Sequence, residues 1–255
     1  KFVVFSANVL VLSLALAATL GLFHLELIAD FLNLSRLPQA DAKAGEAATE
    51  ENQRLIEYNT ASTKAGIVRD SCSLGALIVI WSCGGFARLD PLARSFGWGA
   101  TGTGVLVIAV PGLAQTLFSL PFEVWDTFGI EARFGFNRTT IGTFIGDHLK
   151  GLALSAIQGL PVVWLIVWFF TTQDLAAFYA WLSVVLIGIA MSWLAPRVIM
   201  PLFLKFQPLQ AGTLRDSILA LARRLAFPVG EVSVVDGSRR STKANAFFAG
   251  FGRNK

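Results

Sequence analysis

The sequence predicts an all-α polytopic membrane bundle of about five transmembrane helices, followed by the start of a small cytoplasmic α+β domain. Three observations predict it. Hydrophobic residues make up 54% of the chain and charged residues 15%, against about 25% charged in a typical soluble domain. The apolar residues gather into runs close to the roughly 20 residues that cross a bilayer as a helix. Past residue 209 the character changes, and turn signals and charges replace the apolar runs.

Five runs are candidate spans: Phe2–Phe23, Ser71–Gly85, Gly97–Phe122, Gly151–Thr171 and Leu175–Ala195. The first is longer than the roughly 7–15 apolar residues of a signal peptide, and Phe23-His24-Leu25-Glu26 is a poor cleavage site, so it is expected to be a retained span. The second is short and is expected to begin before Ser71. The third and fourth contain Pro111 and Pro161, which membrane helices tolerate when neighbours satisfy the freed carbonyl. The expected organisation is a bundle over residues 1–209, with cytoplasmic loops 24–70 and 122–150. Residues 210–255 would begin the small cytoplasmic α+β domain, cut short after a helix and a β-hairpin.

Charge sets the orientation. With five spans, Lys1, Arg88 and Arg94 fall on one side and the other eighteen basic residues on the opposite side. The positive-inside bias places the long loops and the tail in the cytoplasm. The net charge of +4 then follows from topology and calls for no nucleic-acid partner. The partner that composition and charge point to is the lipid bilayer.

After the fifth span, Pro196, Pro201 and Pro208 exclude one straight helix. This stretch is expected to be a membrane exit against the bundle. Thr213-Leu214-Arg215-Asp216 fits a capping box, and Leu214, Ile218, Leu221 and Leu225 give a helical stripe that Phe227-Pro228 stops. Val232–Val235 is expected to form a strand, Asp236-Gly237 a turn, and Ala244–Phe251 a second strand.

The candidate chemistry is sparse. Cys72 and Cys83 lie eleven residues apart in one expected helix, roughly 16 Å at 1.5 Å per residue. A disulfide needs Cα atoms within about 7 Å, so two buried thiols are expected. The two histidines, His24 and His148, are not part of an H-E-x-x-H, and no metal ligand or catalytic residue is assigned. Gly97, Gly99, Gly102 and Gly104 lack the following Lys of a phosphate loop and are expected to serve close helix packing. The spans carry almost no ionisable groups, which argues against ion-coupled transport. Asn245, Ala246, Phe247 and Phe248 are the candidate substrate-binding residues. A strand edge there would offer free N–H and C=O groups to an extended peptide, although an ordinary packed hairpin strand fits the same residues.

Four pieces of the chain, in order, resemble the integral-membrane CAAX prenyl endopeptidases of type I. They are Ile130-Glu131…Gly135-Phe136-Asn137…Thr139-Thr140, then Pro201-Leu202-Phe203…Lys205-Phe206…Pro208-Leu209, then Phe227-Pro228, then Val234-Val235-Asp236-Gly237-Ser238…Ser241…Asn245-Ala246-Phe247-Phe248. The resemblance implies a membrane zinc metalloendopeptidase whose spans enclose a hydrophilic chamber and whose substrates are membrane-associated or prenylated polypeptides. It implies that Asn245–Phe248 lies beside the zinc, which the complete enzyme holds on an H-E-x-x-H helix that this sequence lacks. The chain alone is therefore expected to be inactive. Lys243 departs from the family, where His, Ser or Pro is common near this position. The Ala/Leu/Gly-rich spans favour a bacterial inner membrane, with the endoplasmic reticulum expected for a eukaryotic source. The alternatives are a non-enzymatic membrane scaffold or a small transporter.

Overall fold

The computed structural model describes residues 2–44, 50–243 and 246–248, and for 2–12 and 38–44 the backbone alone. Contacts divide the chain into two units, Lys1–Leu89 with Pro111–Gly135, and Asp90–Val110 with Phe136–Lys255. The helices α3 (Gly85–Ser95) and α4 (Gly99–Val124) each pass from one unit to the other.

In the first unit, α1 (Phe2–Ala44) packs along α2 (Glu50–Ser82). The 43 residues of α1 extend about 65 Å at 1.5 Å per residue, well beyond a hydrocarbon core of about 30 Å. Residues 22–37 contain no glycine or proline and are rich in leucine, so nothing stops the helix where the apolar run weakens. The stretch expected as loop 24–70 is thus largely helix. Glu50 and Glu51 in the first turn of α2 suit the positive end of its dipole.

The stretch expected as loop 122–150 is also mostly helical. After α4 the chain makes a π-helical turn, Trp125–Glu131, clamped to α2. The Arg54 Nε donates to the Phe134 carbonyl at 2.8 Å, and its Nη2 donates to the same oxygen. Tyr58, one turn on, donates to the Glu131 carboxylate at 3.4 Å and sets its ring edge-on to Phe134. Gly135 ends the helix at φ 69°. A Cβ there would sit 2.7 Å from Arg54 Nη2, the end of a side chain that can shift, so it is the backbone that favours glycine.

In the second unit, α5 (Ile141–Thr172) and α6 (Ala176–Leu194) pack against each other. Thr140 caps α5, its hydroxyl accepting from the Thr143 N–H at 3.2 Å. Gly104 of α4 lies against Val167 of α5, and Thr101 meets Thr171 at 3.2 Å. Close packing thus holds for Gly104, whereas Gly97 and Gly99 serve the turn before α4, at φ 70° and 71°. Pro196 and Pro201 do not end the helix as expected: a π-helical turn (Ala195–Ile199) and a short α7 (Met200–Phe203) carry α6 on as one helical run, so the expected exit belongs to the fifth span, and a strand β1 (Phe206–Pro208) follows it.

The small sheet differs from the expected hairpin. β2 (Ser233–Val235) pairs antiparallel with β1, Phe206 opposite Val235 and Pro208 opposite Ser233. Leu209 N–H to Val232 O (2.8 Å) and Asp236 N–H to Lys205 O (3.0 Å) extend the pairing. Pro208 can take part because it lies at the strand end, where no donor is demanded. Ala246–Phe248 carry no strand, and the rest of the expected second strand lies outside the described residues. Between β1 and β2, α8 (Thr213–Arg224) forms where the stripe predicts it, but its cap is Gly212, and Thr213 is the first helical residue with no side-chain cap bond.

Among the described residues, five helices are long and apolar enough to cross a membrane: Ser13–Leu37, Glu50–Ser82, Gly99–Glu131, Ile141–Thr172 and Ala176–Phe203. In four of them none of the most apolar window is buried inside the fold, and in Glu50–Ser82 only 6%. Each exposed leucine-sized side chain would cost about 1.5–3 kcal/mol in water relative to burial, so a bilayer is the solvent these faces fit. Cys72 and Cys83 are exposed, correcting the expectation of buried thiols. Cys72 lies on α2, which presents much of its surface outward rather than to a protein core, and Cys83 lies in the turn that follows α2.

Candidate functional site

The loop after Gly135 and the chain after β2 are about a hundred residues apart in sequence and dock on each other in the second unit. Asn137 folds its own loop, its Oδ1 accepting the Thr139 N–H at 2.6 Å. Asn137 then bridges Ser241 in antiparallel fashion. Arg138 N–H donates to the Arg240 carbonyl at 2.9 Å, and the Thr139 hydroxyl donates to the same oxygen at 3.1 Å. Thr242 N–H donates to the Phe136 carbonyl at 3.0 Å, and the Lys243 ammonium lies 5.4 Å from the centre of the Phe136 ring.

One charged pair locks this arrangement to α5. Arg240 Nε and Nη2 donate to the two oxygens of Asp147 at 2.7 and 3.0 Å. The fork-to-fork geometry fixes both position and orientation. Both side chains are about a quarter exposed. The hydrogen bond to Asp147 raises the Arg240 guanidinium above its ordinary range, and desolvation offsets part of that.

Of the four candidate substrate residues, Asn245 lies outside the described residues. Ala246, Phe247 and Phe248 follow the docked segment without regular structure. Phe247 is 51% and Phe248 76% exposed, and the Phe248 ring meets Phe227 edge-on at 5.6 Å. The sequence offers no signal for Arg240 or Asp147 as partners. One sits in an Arg-Arg pair after a turn signal and the other beside a histidine, and only the fold brings them together.

His24 Nδ1 is 2.6 Å from the Leu20 carbonyl and His148 Nδ1 is 2.8 Å from that of Phe144, each contact made within its own helix. The His148 ring also lies against Phe144, with centroids 4.0 Å apart. Among the described residues no three His, Cys, Asp or Glu side chains gather as a ligand set would.

Residues 30–205 match the model of the family described as CAAX prenyl protease N-terminal, five membrane helices. The chain belongs to this family. It is 39% identical to the probable CAAX prenyl protease 1 of Schizosaccharomyces pombe over 184 residues, which is 70% of the chain and 39% of that protein. It is 32% identical to the human CAAX prenyl protease 1 homolog over 220 residues, 82% of the chain and 46% of that protein. The crystal structure of S. mikatae Ste24p superposes with a TM-score of 0.79 at 26% identity, covering 92% of this chain and 57% of that one. The chain thus spans about half the length, or less, of the curated CAAX prenyl proteases it matches. It is an integral multi-pass membrane protein of a protease family, and the family match takes in the end of the first span, the other four spans and the docked loop 136–140.

Proposed function

We propose that the complete protein is a membrane-embedded zinc metalloendopeptidase acting on membrane-associated or prenylated polypeptides. In this reading the present chain supplies its membrane bundle and its substrate-aligning segment. The carrying observation is that, in a chain of this family, residues 240–242 are tied to the 136–140 loop and to Asp147. The chain entering Asn245–Phe248 is therefore anchored to a membrane helix. A segment that must align an extended peptide by backbone pairing needs such support, because slack of about 1 Å at a reacting centre can cost a hundredfold in rate. Residues 210–255 begin the peptidase domain.

Zinc supplies Lewis-acid activation of the scissile carbonyl and of water in enzymes of this kind. Its ligands are assigned to the part of the relatives' length that this chain does not span, and the 255-residue chain alone is inactive. The long loops and tail face the cytoplasm. The membrane is the bacterial inner membrane, which the composition of the spans favours, or the endoplasmic reticulum. In either case the basic face is cytoplasmic.

The test is hydrolysis of a farnesylated CAAX peptide by the full-length protein in liposomes. We expect cleavage that a chelator abolishes and zinc restores, with none from the 255-residue chain. Chelator-insensitive cleavage, or cleavage by the short chain, would overturn the proposal.

A further inference from the structure

A basic cleft of about 270 Å³ opens in the second unit between the start of α5 and the end of the fifth span. Four cations line it, Lys150, Lys205, Arg239 and Arg240, against two carboxylates, Asp147 and Asp236. The charges are unequally matched. Asp147 is committed to Arg240 at 2.7 Å and reaches Lys150 only at 4.0 Å. Asp236 reaches Arg239 only at 3.8 Å. Lys205 is exposed and has no ion-pair partner among the described residues. Gly142 and Gly146 form part of the α5 wall and face open space, where a Cβ would meet nothing within 4 Å.

The depth of the cleft is set by sequence. Lys150 is the last charged residue before the apolar run from Gly151, and Phe203 ends the fifth span two residues before Lys205. The surplus of two positive charges therefore lies where a bilayer changes from hydrocarbon to headgroup. The first turn of α5 adds the partial positive charge of a long helix.

We infer that this cleft binds the phosphate headgroup of an anionic phospholipid, with Lys150, Lys205 and Arg239 contacting the phosphate and the acyl chains lying along the outer faces of the fourth and fifth spans. Lys150 also donates to the Leu202 carbonyl at 3.4 Å, which places its ammonium at the mouth between α5 and α7. Basic pockets between membrane helices on the cytoplasmic side are sites that anionic headgroups favour. The choice of the cytoplasmic leaflet rests on the orientation proposed above, whereas the binding itself does not.

The experiment uses the full-length protein in detergent, read by native mass spectrometry and thermal shift. The probes are dioleoyl phosphatidic acid, dioleoyl phosphatidylcholine and inorganic phosphate. We expect phosphatidic acid to bind at least ten-fold more tightly than phosphatidylcholine, and millimolar inorganic phosphate to leave it bound. A Lys205→Ala/Arg239→Ala double variant should lose about ten-fold in phosphatidic acid affinity with an unchanged lipid-free Tm. A Arg215→Ala/Arg223→Ala control on α8, with the same loss of charge, should bind as the parent does. Lys205→Gln alone, at an exposed side chain, should lose about three-fold and stands in if the double variant misfolds. Equal affinity for the two lipids, equal loss in the α8 control, or displacement by inorganic phosphate would each overturn the inference. Since orientation is tested separately by labelling, a wrong leaflet and an absent site give different results.

Discussion

Ala226 closes α8 in a conformation that suits glycine, with φ at 49°. Phe227 N–H reaches back to the Ala222 carbonyl at 2.9 Å and Ala226 N–H to that of Arg223 at 3.1 Å, the two bonds of a Schellman motif. An L-residue with a Cβ pays roughly 1–2 kcal/mol in the left-handed region, and glycine's extra freedom in the unfolded chain returns part of that. Ala226→Gly should therefore stabilise the protein by about 0.5–1 kcal/mol and raise Tm by about 2 °C in a detergent melt. A lowered Tm would show that the Cβ packs more usefully than the backbone strains. Phe227-Pro228 was readable as a helix stop because proline constrains its neighbours. The left-handed turn at Ala226 was not, because alanine ordinarily signals helix. Gly135 shows the reverse: its glycine was legible in the sequence, but the Arg54 guanidinium packed beside it was not.

At the scale of elements, α5 and the segment after β2 are joined by a pair 93 residues apart in sequence, Asp147 and Arg240. Hydrogen bonds to charged groups contribute about 1.5–3 kcal/mol. Arg240→Ala should lower stability by about 2 kcal/mol and increase proteolysis after Arg239. A double-mutant cycle with Asp147→Asn should give a coupling of about 1 kcal/mol or more, and additive losses would mean the pair contributes nothing beyond its separate packing. The helices were legible from their apolar runs, since a bilayer-length run has few other uses. Their extensions were not, because the polar ends of α1 and α2 carry helix formers without an apolar face long enough to mark them. The pairing of β1 with β2 was hidden by Pro208 and by strands of three residues each, too short for an alternation to be counted.

At the scale of the whole molecule, the five spans and the family follow from sequence, but the site does not, because its parts come from loops whose approach is set by α5. Orientation is tested by single cysteines in a background with Cys72 and Cys83 replaced. Ala47→Cys and Arg253→Cys should both be labelled from the cytoplasmic side, and labelling of either from outside would reverse the topology. In the function proposed above, residues 244–248 align the substrate of the complete enzyme. In a strand that pairs with a peptide, Asn245 can offer both a donor and an acceptor. Its loss should then be felt in the reaction and not in the fold. The most direct measurement is kcat/KM of full-length Asn245→Ala on a prenylated peptide, with zinc content and Tm measured on the same sample. The account predicts unchanged zinc and Tm with a loss of about ten-fold or more, roughly 1.4 kcal/mol of transition-state stabilisation. Unchanged kcat/KM, or a loss accompanied by lost zinc or a lowered Tm, would contradict it.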